Sequence, residues 1–543
     1  MGKRKFHWIT GRKKTEAEVP YTPPIWLGNL SNGEFFLPQG ERERRVHDLI
    51  LQRCDDYARR KGMERREFIA STMGMATTLS VLNMAAGCAD DDGMMSNSVV
   101  DRMLDEKDRA RYDGGTADAS AAPQAPDAGA SRVSRRVPDG GFAINEELCM
   151  NEEMADKLFK SDYFILDFQT HHTNEGTAGL CLTRDMTTPD CTSPDTYIRQ
   201  IFEESDTTVA VLSGLPAAID EATNDLSPFA FTNEDMRTSR DRVNKASRLT
   251  DNAAERMIAH CQISPKNKPE ANARMMTENK MKYDTRGWKC YPPTEGGWFL
   301  HENDAFIQTA IEVGEPLVCA HKGFPFTGWS RTHADPMPDV GEVAKRYPGV
   351  TFVIYHSAFD SAHIEGPYDP NPSPVDGGTD RLAKVVFDNG LTNKNVYAEM
   401  GSAWAIAMRD PVQAQHYVGK MLKYVGVDRL VWGSECVWYG CPQSQIEAFK
   451  AFRISQEFQD KYGYPEFTDE IRRNVFGLTG AKLYRVEPLA CRYEVTRSQL
   501  AYRKQLLDDR WGPRRHVINP PAIRTRRQLM ALWRDRRARG EFA

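Results

Sequence analysis

The sequence predicts an α/β protein built on a (β/α)8 TIM barrel, with a disordered N-terminal export and tether region and a basic C-terminal extension. Two observations predict the barrel. Eight apolar runs lie near 163–168, 207–213, 256–261, 284–290, 316–321, 350–356, 394–400 and 429–434. Most stretches between them have helical spacing or are long enough for a helix, as at 194–204, 305–313, 381–389 and 411–425. Strand alternating with helix implies a parallel sheet, and eight such units imply a closed barrel. A doubly wound open sheet is the alternative fold, but no G-x-G-x-x-G or phosphate loop opens a helix to favour a nucleotide. A third observation concerns function. Several runs end abruptly in His, Gln or Glu, and parallel barrels build their sites at the C-terminal ends of strands.

Along the chain, residues 1–62 form an N-terminal extension. Within it 42–60 is charged, with apolar positions at Val46, Leu49, Ile50 and Tyr57, and predicts an amphipathic helix. Residues 63–88 resemble a twin-arginine export signal. Arg65 and Arg66 precede Phe68 and Ile69, a moderately apolar stretch runs to Ala86, and Ala85-Ala86-Gly87-Cys88 resembles a lipobox with Cys88 as the lipidation site. A short buried helix is the alternative. Signals begin near an N-terminus, whereas this one begins near Met63, so either its leading region is long or Met63 is the true start. Residues 89–142 are rich in Ala, Asp, Ser, Gly and Pro and read as a flexible linker. Together these features predict an exported protein, periplasmic or tethered to a bacterial membrane, or a cytoplasmic one if the internal signal does not function.

The barrel occupies 143–486. The segment 468–486 has helical spacing at Ile471, Val475, Phe476 and Leu483 and is expected to close it. Residues 487–543 carry about eight net positive charges; they are expected to pack on the acidic remainder or on a partner subunit, with binding to nucleic acid or anionic lipid as the alternative. The net charge of -5 for the whole chain argues against general nucleic-acid binding. No run is long and apolar enough to predict a spanning helix. The eleven cysteines show no C-x-x-C spacing for structural zinc. Cys181 with Cys191, and Cys436 with Cys441, are plausible disulfides, and buried free thiols are the equal alternative.

The strand ends carry the chemistry. Tyr163-Phe164-Ile165-Leu166 runs into Asp167, Gln169, His171 and His172. Gln169 and His171 are two apart and share a strand face. The fifth run ends in His321, the sixth in His356 and the eighth in Glu435. One histidine after a strand is usually structural. Imidazoles and carboxylates at four strand ends point instead to a shared metal or acid–base site.

The motifs DFQTH, AHKG, YHS, WGSE and NVFGLTGAKLY, taken together, resemble the metal-dependent amidohydrolase superfamily. The resemblance is to the amidohydrolase family 2 branch, which includes aminocarboxymuconate semialdehyde decarboxylase. It covers about 145–486. It implies one or two divalent metals at the barrel mouth. By it, His171, His321 and His356 are metal ligands, and His356 is also a catalytic residue. Glu435 stands at the usual aspartate position as ligand and base. Gln169 replaces the first histidine of H-x-H, so it would coordinate through its amide oxygen. Lys289 sits where some members carry a carboxylated lysine, or else binds substrate. Zinc is the expected metal, with manganese or iron as alternatives.

From these readings the expected function is hydrolysis of an ester, lactone, amide or similar bond in a small organic substrate. Metal-bound water would attack, with Glu435 as base and His356 as proton shuttle or oxyanion donor. Trp288, Trp298, Phe324, Phe326, Trp329, Trp438 and Tyr439 predict an aromatic mouth. Lys322 and Arg331 are expected to bind a substrate carboxylate. His172 faces away from His171 if the strand continues. A non-oxidative decarboxylase is the first alternative, and a non-catalytic binding protein with a degenerate metal site is the second. A homo-oligomer is compatible with either.

Overall fold

The computed structural model describes residues 22–28, 39–86, 140–174, 192–215, 231–247, 254–265, 269–294, 296–325, 329–361, 363–374 and 377–511, the last five without their side chains. Cys88, Cys181, Cys191 and Phe326, and with them the lipobox and one expected disulfide, lie outside the described residues.

Every expected run contains a strand. In order these are β1 (Leu166–Thr170), β2 (Val209–Leu212), β3 (Met257–Ala259), β4 (Cys261–Gln262), β5 (Trp288–Cys290), β6 (Leu317–His321), β7 (Thr351–Tyr355), β8 (Val396–Glu399) and β9 (Leu430–Val431). All pair in parallel with their sequence neighbours. β3 and β4 are one stave broken at His260, where the chain stops pairing with β2 and starts pairing with β5. The ring closes through backbone bonds between β1 and the segment after β9. Phe168 N donates to Trp432 O at 2.9 Å, and His171 N to Cys436 O at 2.7 Å.

The apolar alternation of β6 shows why the sheet sits where it does. Leu317 and Cys319 join a cluster with Val211, Val353 and Val431 from three other strands, which only the ring interior allows. Val318 and Ala320 point the other way, into the layer between sheet and helices. His321 continues the inward set.

Helices fall where the spacing placed them, at Pro194–Ile198, Asp304–Glu312, Asp380–Asp388 and Pro411–Lys420. After β9, Asp469–Arg473, the π-turn Asn474–Leu478 and Thr479–Tyr484 pack under β1 and β9. The first helix, α1 (Glu41–Lys61), buries Val46, Leu49, Ile50 and Tyr57 as the spacing required. It continues into α2 (Arg65–Ala70) and α3 (Thr72–Ala86), so most of the signal-like stretch is folded as helix against the barrel. Two further helices, Pro488–Arg497 and Gln499–Trp511, extend the C-terminal side. No described helix is long and apolar enough to cross a membrane.

Candidate active site

Four strand ends bring five of the expected side chains together. Gln169 and His171 come from the end of β1, His321 from β6, His356 from the residue after β7, and Glu435 from the segment after β9. Each is at most 3% exposed. Glu435 is the hub. Its Oε1 lies 3.4 Å from His171 Nε2, and its Oε2 lies 3.0 Å from His356 Nδ1. His356 Nε2 in turn lies 3.2 Å from His321 Nδ1. Gln169 Nε2 is 3.2 Å from His171 Nε2, while its Oε1 is buried without a hydrogen-bond partner.

The backbone turns sharply to present these groups. His356 and Glu435 both have left-handed φ, 60° and 58°, which is uncommon for residues with a Cβ and concentrates at functional sites. Between them sits Gly401, φ 36°. A Cβ there would lie 2.8 Å from His356 Nδ1 and 3.0 Å from Gln169 Oε1. Glycine is therefore required, because any side chain would fill the space between the donors.

A second layer holds the first. His171 Nδ1 faces Ser213 O at 3.0 Å, which directs Nε2 into the site. Glu399 accepts from His356 N at 3.0 Å and from Gly401 N at 2.7 Å. Asp167 accepts from Ser434 N at 3.0 Å and Gln169 N at 3.2 Å, and leaves its Oδ2 unpaired. Ser402 Oγ donates to Glu435 Oε2 at 3.2 Å. Ser402 and Glu399 carried no signal in the sequence beyond being polar residues after an apolar run.

Electrostatics separates the roles. Burial opposes ionisation of Glu435, but His356 and His171 outweigh it and hold the carboxyl well below the usual range. Burial, reinforced by His356 and Lys289, keeps His321 neutral. Burial likewise lowers His356, against the pull of Glu435. Asp167 is pushed up to about 7 by burial, and Glu399 is raised well above its ordinary value by burial and Glu435. A carboxylate held among imidazoles is a coherent donor set.

The three expected cations fare differently. Lys322 is fully buried, but its ammonium is 2.6 Å from Asp339 Oδ2 and donates to His333 O at 2.8 Å. It braces the loop after β6 and is not placed to bind substrate as expected. Arg331 pairs with Asp360 at 3.2 Å, with its side chain half exposed. Lys289 is fully buried on β5, and its Nζ has no hydrogen-bond acceptor among the described residues. It lies 3.2 Å from the centroid of the Tyr355 ring and 4.8 Å from that of Tyr291.

Aromatic walls flank the imidazoles. Trp438 stacks on His171 with ring centroids 6.0 Å apart and 29° between planes. Trp329 meets His321 edge-on at 5.0 Å. Phe324 lies 5.5 Å from His356. Tyr291, which the sequence reading missed, lies 5.5 Å from His321. Trp288 and Trp298 belong instead to the core between sheet and helices. His172 faces away, between Tyr197 and Phe231, and burial lowers it to about 4. Cys436 and Cys441 are free thiols bonded to separate carbonyls, so the expected bridge is not formed.

Among the described residues, no group of three or more His, Cys, Asp or Glu side chains is arranged so that it could hold a metal ion as it stands. The donors run as a chain instead of meeting at a point. The donor types nevertheless suit a divalent metal, since three imidazoles and a carboxylate lie in an unbroken chain of contacts at 3.4, 3.0 and 3.2 Å. The orphaned Gln169 Oε1 supplies a further lone pair.

A family profile described as Amidohydrolase matches residues 167–486, so the chain belongs to the amidohydrolase family. Solved structures with a similar fold include 2,6-dihydroxybenzoate decarboxylase from Rhizobium, at 11% identity over 60% of this chain and 99% of that one, with a TM-score of 0.40. Dihydroxybenzoic acid decarboxylase from Polaromonas sp. JS666, solved with manganese and 2-nitroresorcinol, is 12% identical over 60% and 97%, with a TM-score of 0.41. 4-Oxalomesaconate hydratase from Rhodopseudomonas palustris is 14% identical over 63% and 99%, with a TM-score of 0.33. No curated protein matches the chain.

Proposed function

We propose that this protein is a metal-dependent non-oxidative decarboxylase acting on a flat, unsaturated or aromatic acid. The observation that carries this reading is Lys289, a fully buried ammonium without a hydrogen-bond acceptor, beside a site closed from solvent. A buried cation without a counter-ion is costly, and an acidic substrate would supply the missing charge. A site this dry also strips water from a bound carboxylate, which favours its departure as carbon dioxide.

His171, His321, Glu435 and the Gln169 amide oxygen would hold a divalent metal, with His356 against Glu435 as fifth donor or proton carrier. Zinc or manganese suits this mixed nitrogen and oxygen set. A bound metal would supply Lewis-acid polarisation of the substrate oxygens. Trp438 and Trp329 give the ring a slot between aromatic faces. Lys289 pairs with an oxygen on the acid. The His356–Glu435 pair would relay a proton, accepted by the Glu435 carboxylate from the incoming acid substrate, to the carbon that loses the carboxyl, and Ser402 holds Glu435 in place for it.

Hydrolysis, the first expectation from sequence, is the second reading. It is favoured by the ionised Glu435, a carboxylate suited to taking a proton from water. The two are separated by running metal-loaded enzyme on hydroxybenzoates and on esters and lactones, in heavy-oxygen water and in deuterium oxide. Carbon dioxide release with deuterium on the product carbon is expected. Heavy oxygen in the product, without carbon dioxide, would establish hydrolysis instead. Turnover of neither set, with no metal bound, would leave the binding-protein reading.

A further inference from the structure

Helices α1–α3 lie outside the matched family region, and the proposed chemistry does not use them. Their packing is nonetheless that of a core element. α3 is apolar on all sides, and Met73, Ala76, Leu79, Val81, Leu82 and Ala85 are all buried. Such a helix is stable only inside a protein or inside a membrane. Here its surface is already covered, by α1 and α2 on one side and by Glu146–Met150, Glu152–Phe159 and Pro411–Lys420 on the other.

The joint is specific as well as apolar. Asn83 Nδ2 donates to Phe142 O at 2.8 Å, and Phe142 N donates back to Asn83 Oδ1 at 3.2 Å, with both groups buried. Phe142 in turn packs edge-on against Phe452, 6.5 Å away. Thr72 Oγ1 donates to Asp156 at 2.7 Å. Arg42 pairs at 2.9 Å with Asp410, the residue that caps helix Pro411–Lys420. Cys54 of α1 and Cys149 of the facing helix are both fully buried free thiols. Without α1–α3, Phe142 would lose the amide that pairs with both its backbone groups, and Cys149 would lose its neighbours Cys54 and Thr77. A buried amide paired to backbone at both ends is costly to break.

We propose that α1–α3 form a permanent cap of the working enzyme, docked on the barrel flank, and are not discarded on the way to the mature protein. The stretch that resembles an export signal is then a structural helix whose apolar surface is committed to the barrel. The proposal does not depend on which reaction the site performs.

The test inserts a specific protease site between residues 100 and 130 of the full chain and cuts the purified protein. Gel filtration in native buffer should recover both fragments in one peak. Cys54 and Cys149 should resist iodoacetamide until urea is added. In the uncut chain, Asn83→Ala should speed labelling of both thiols. Separate elution of the N-terminal fragment from a soluble, folded barrel would overturn the proposal. So would native labelling as fast as in urea, or a labelling rate unchanged in Asn83→Ala. Protein recovered from its native cells with an N-terminus beyond residue 88 would overturn it too.

Discussion

Two buried lysines divide this molecule into a part that holds itself together and a part that waits for something. Lys420 and Lys289 are both fully excluded from solvent. Lys420 meets Glu365 at 2.6 Å and Asp380 at 2.9 Å. Burial opposes its charge, but the two carboxylates win and raise its pKa. Glu365 is further bonded to Thr379 through N at 3.0 Å and Oγ1 at 2.7 Å. Lys289 has two aromatic rings and no hydrogen-bond acceptor, and burial lowers it to about 8. The same side chain, equally buried, is thus ion-paired in one place and, among the described residues, without an ion partner in the other. A protein tolerates an unsatisfied charge where a ligand completes it, so the contrast marks the site more sharply than burial alone.

The comparison can be broken most severely at Glu435. Glu435→Gln should keep the fold and part of the metal affinity but cut turnover by about 10² to 10⁴-fold. Full activity in that variant would remove Glu435 from the chemistry. Next, Lys420→Met should cost about 3–5 kcal/mol of stability by leaving two buried carboxylates without a counter-charge. A denaturant midpoint equal to that of the parent would contradict this. His171→Ala and His321→Ala should each abolish metal binding by elemental analysis, with only a modest loss of stability.

The smallest effect is the most diagnostic. Lys289→Met should leave the unfolding midpoint unchanged or raise it, since it removes an unpaired charge, while weakening the KM for an acidic substrate. The pH dependence has a definite sign. Folding depresses the pKa of Lys289 to about 8 from 10.5, so the unfolded chain binds the extra proton between those values. Lys289 therefore contributes stability that grows as pH rises through that window. Binding of an anionic substrate should fall over the same rise, because the ammonium is lost. Lys289→Met should flatten both profiles, and an unchanged KM profile would release Lys289 from substrate binding.

Much of this was legible in the sequence. Period-two apolar runs fix strands, and the abrupt change to His, Gln or Glu marks where each strand leaves the core. His171, His321, His356 and Glu435, which the structure brings together, were therefore legible as one group by pattern. What the pattern could not give was pairing across the ring. Lys322 reads as a free cation until Asp339, seventeen positions later, is brought against it. Tyr291 reads as a loop residue until β5 is set beside β6. The helix α3 was ambiguous for a different reason. An apolar run of that length suits a membrane-directed signal and a buried core helix, and contacts such as the Asn83–Phe142 pairing favour the second.

β9 contains only Leu430 and Val431, and the ring beyond it is sewn shut by the residues that carry the chemistry. Glu435 N donates to Gln169 O at 3.0 Å, and Val437 N to His171 O at 3.1 Å. The seam of the barrel and the donor set are one object. A chain that folds with this edge unsewn has no half-built site to fall back on. If the donor set holds a metal as proposed, metal uptake during refolding should track closure of this seam.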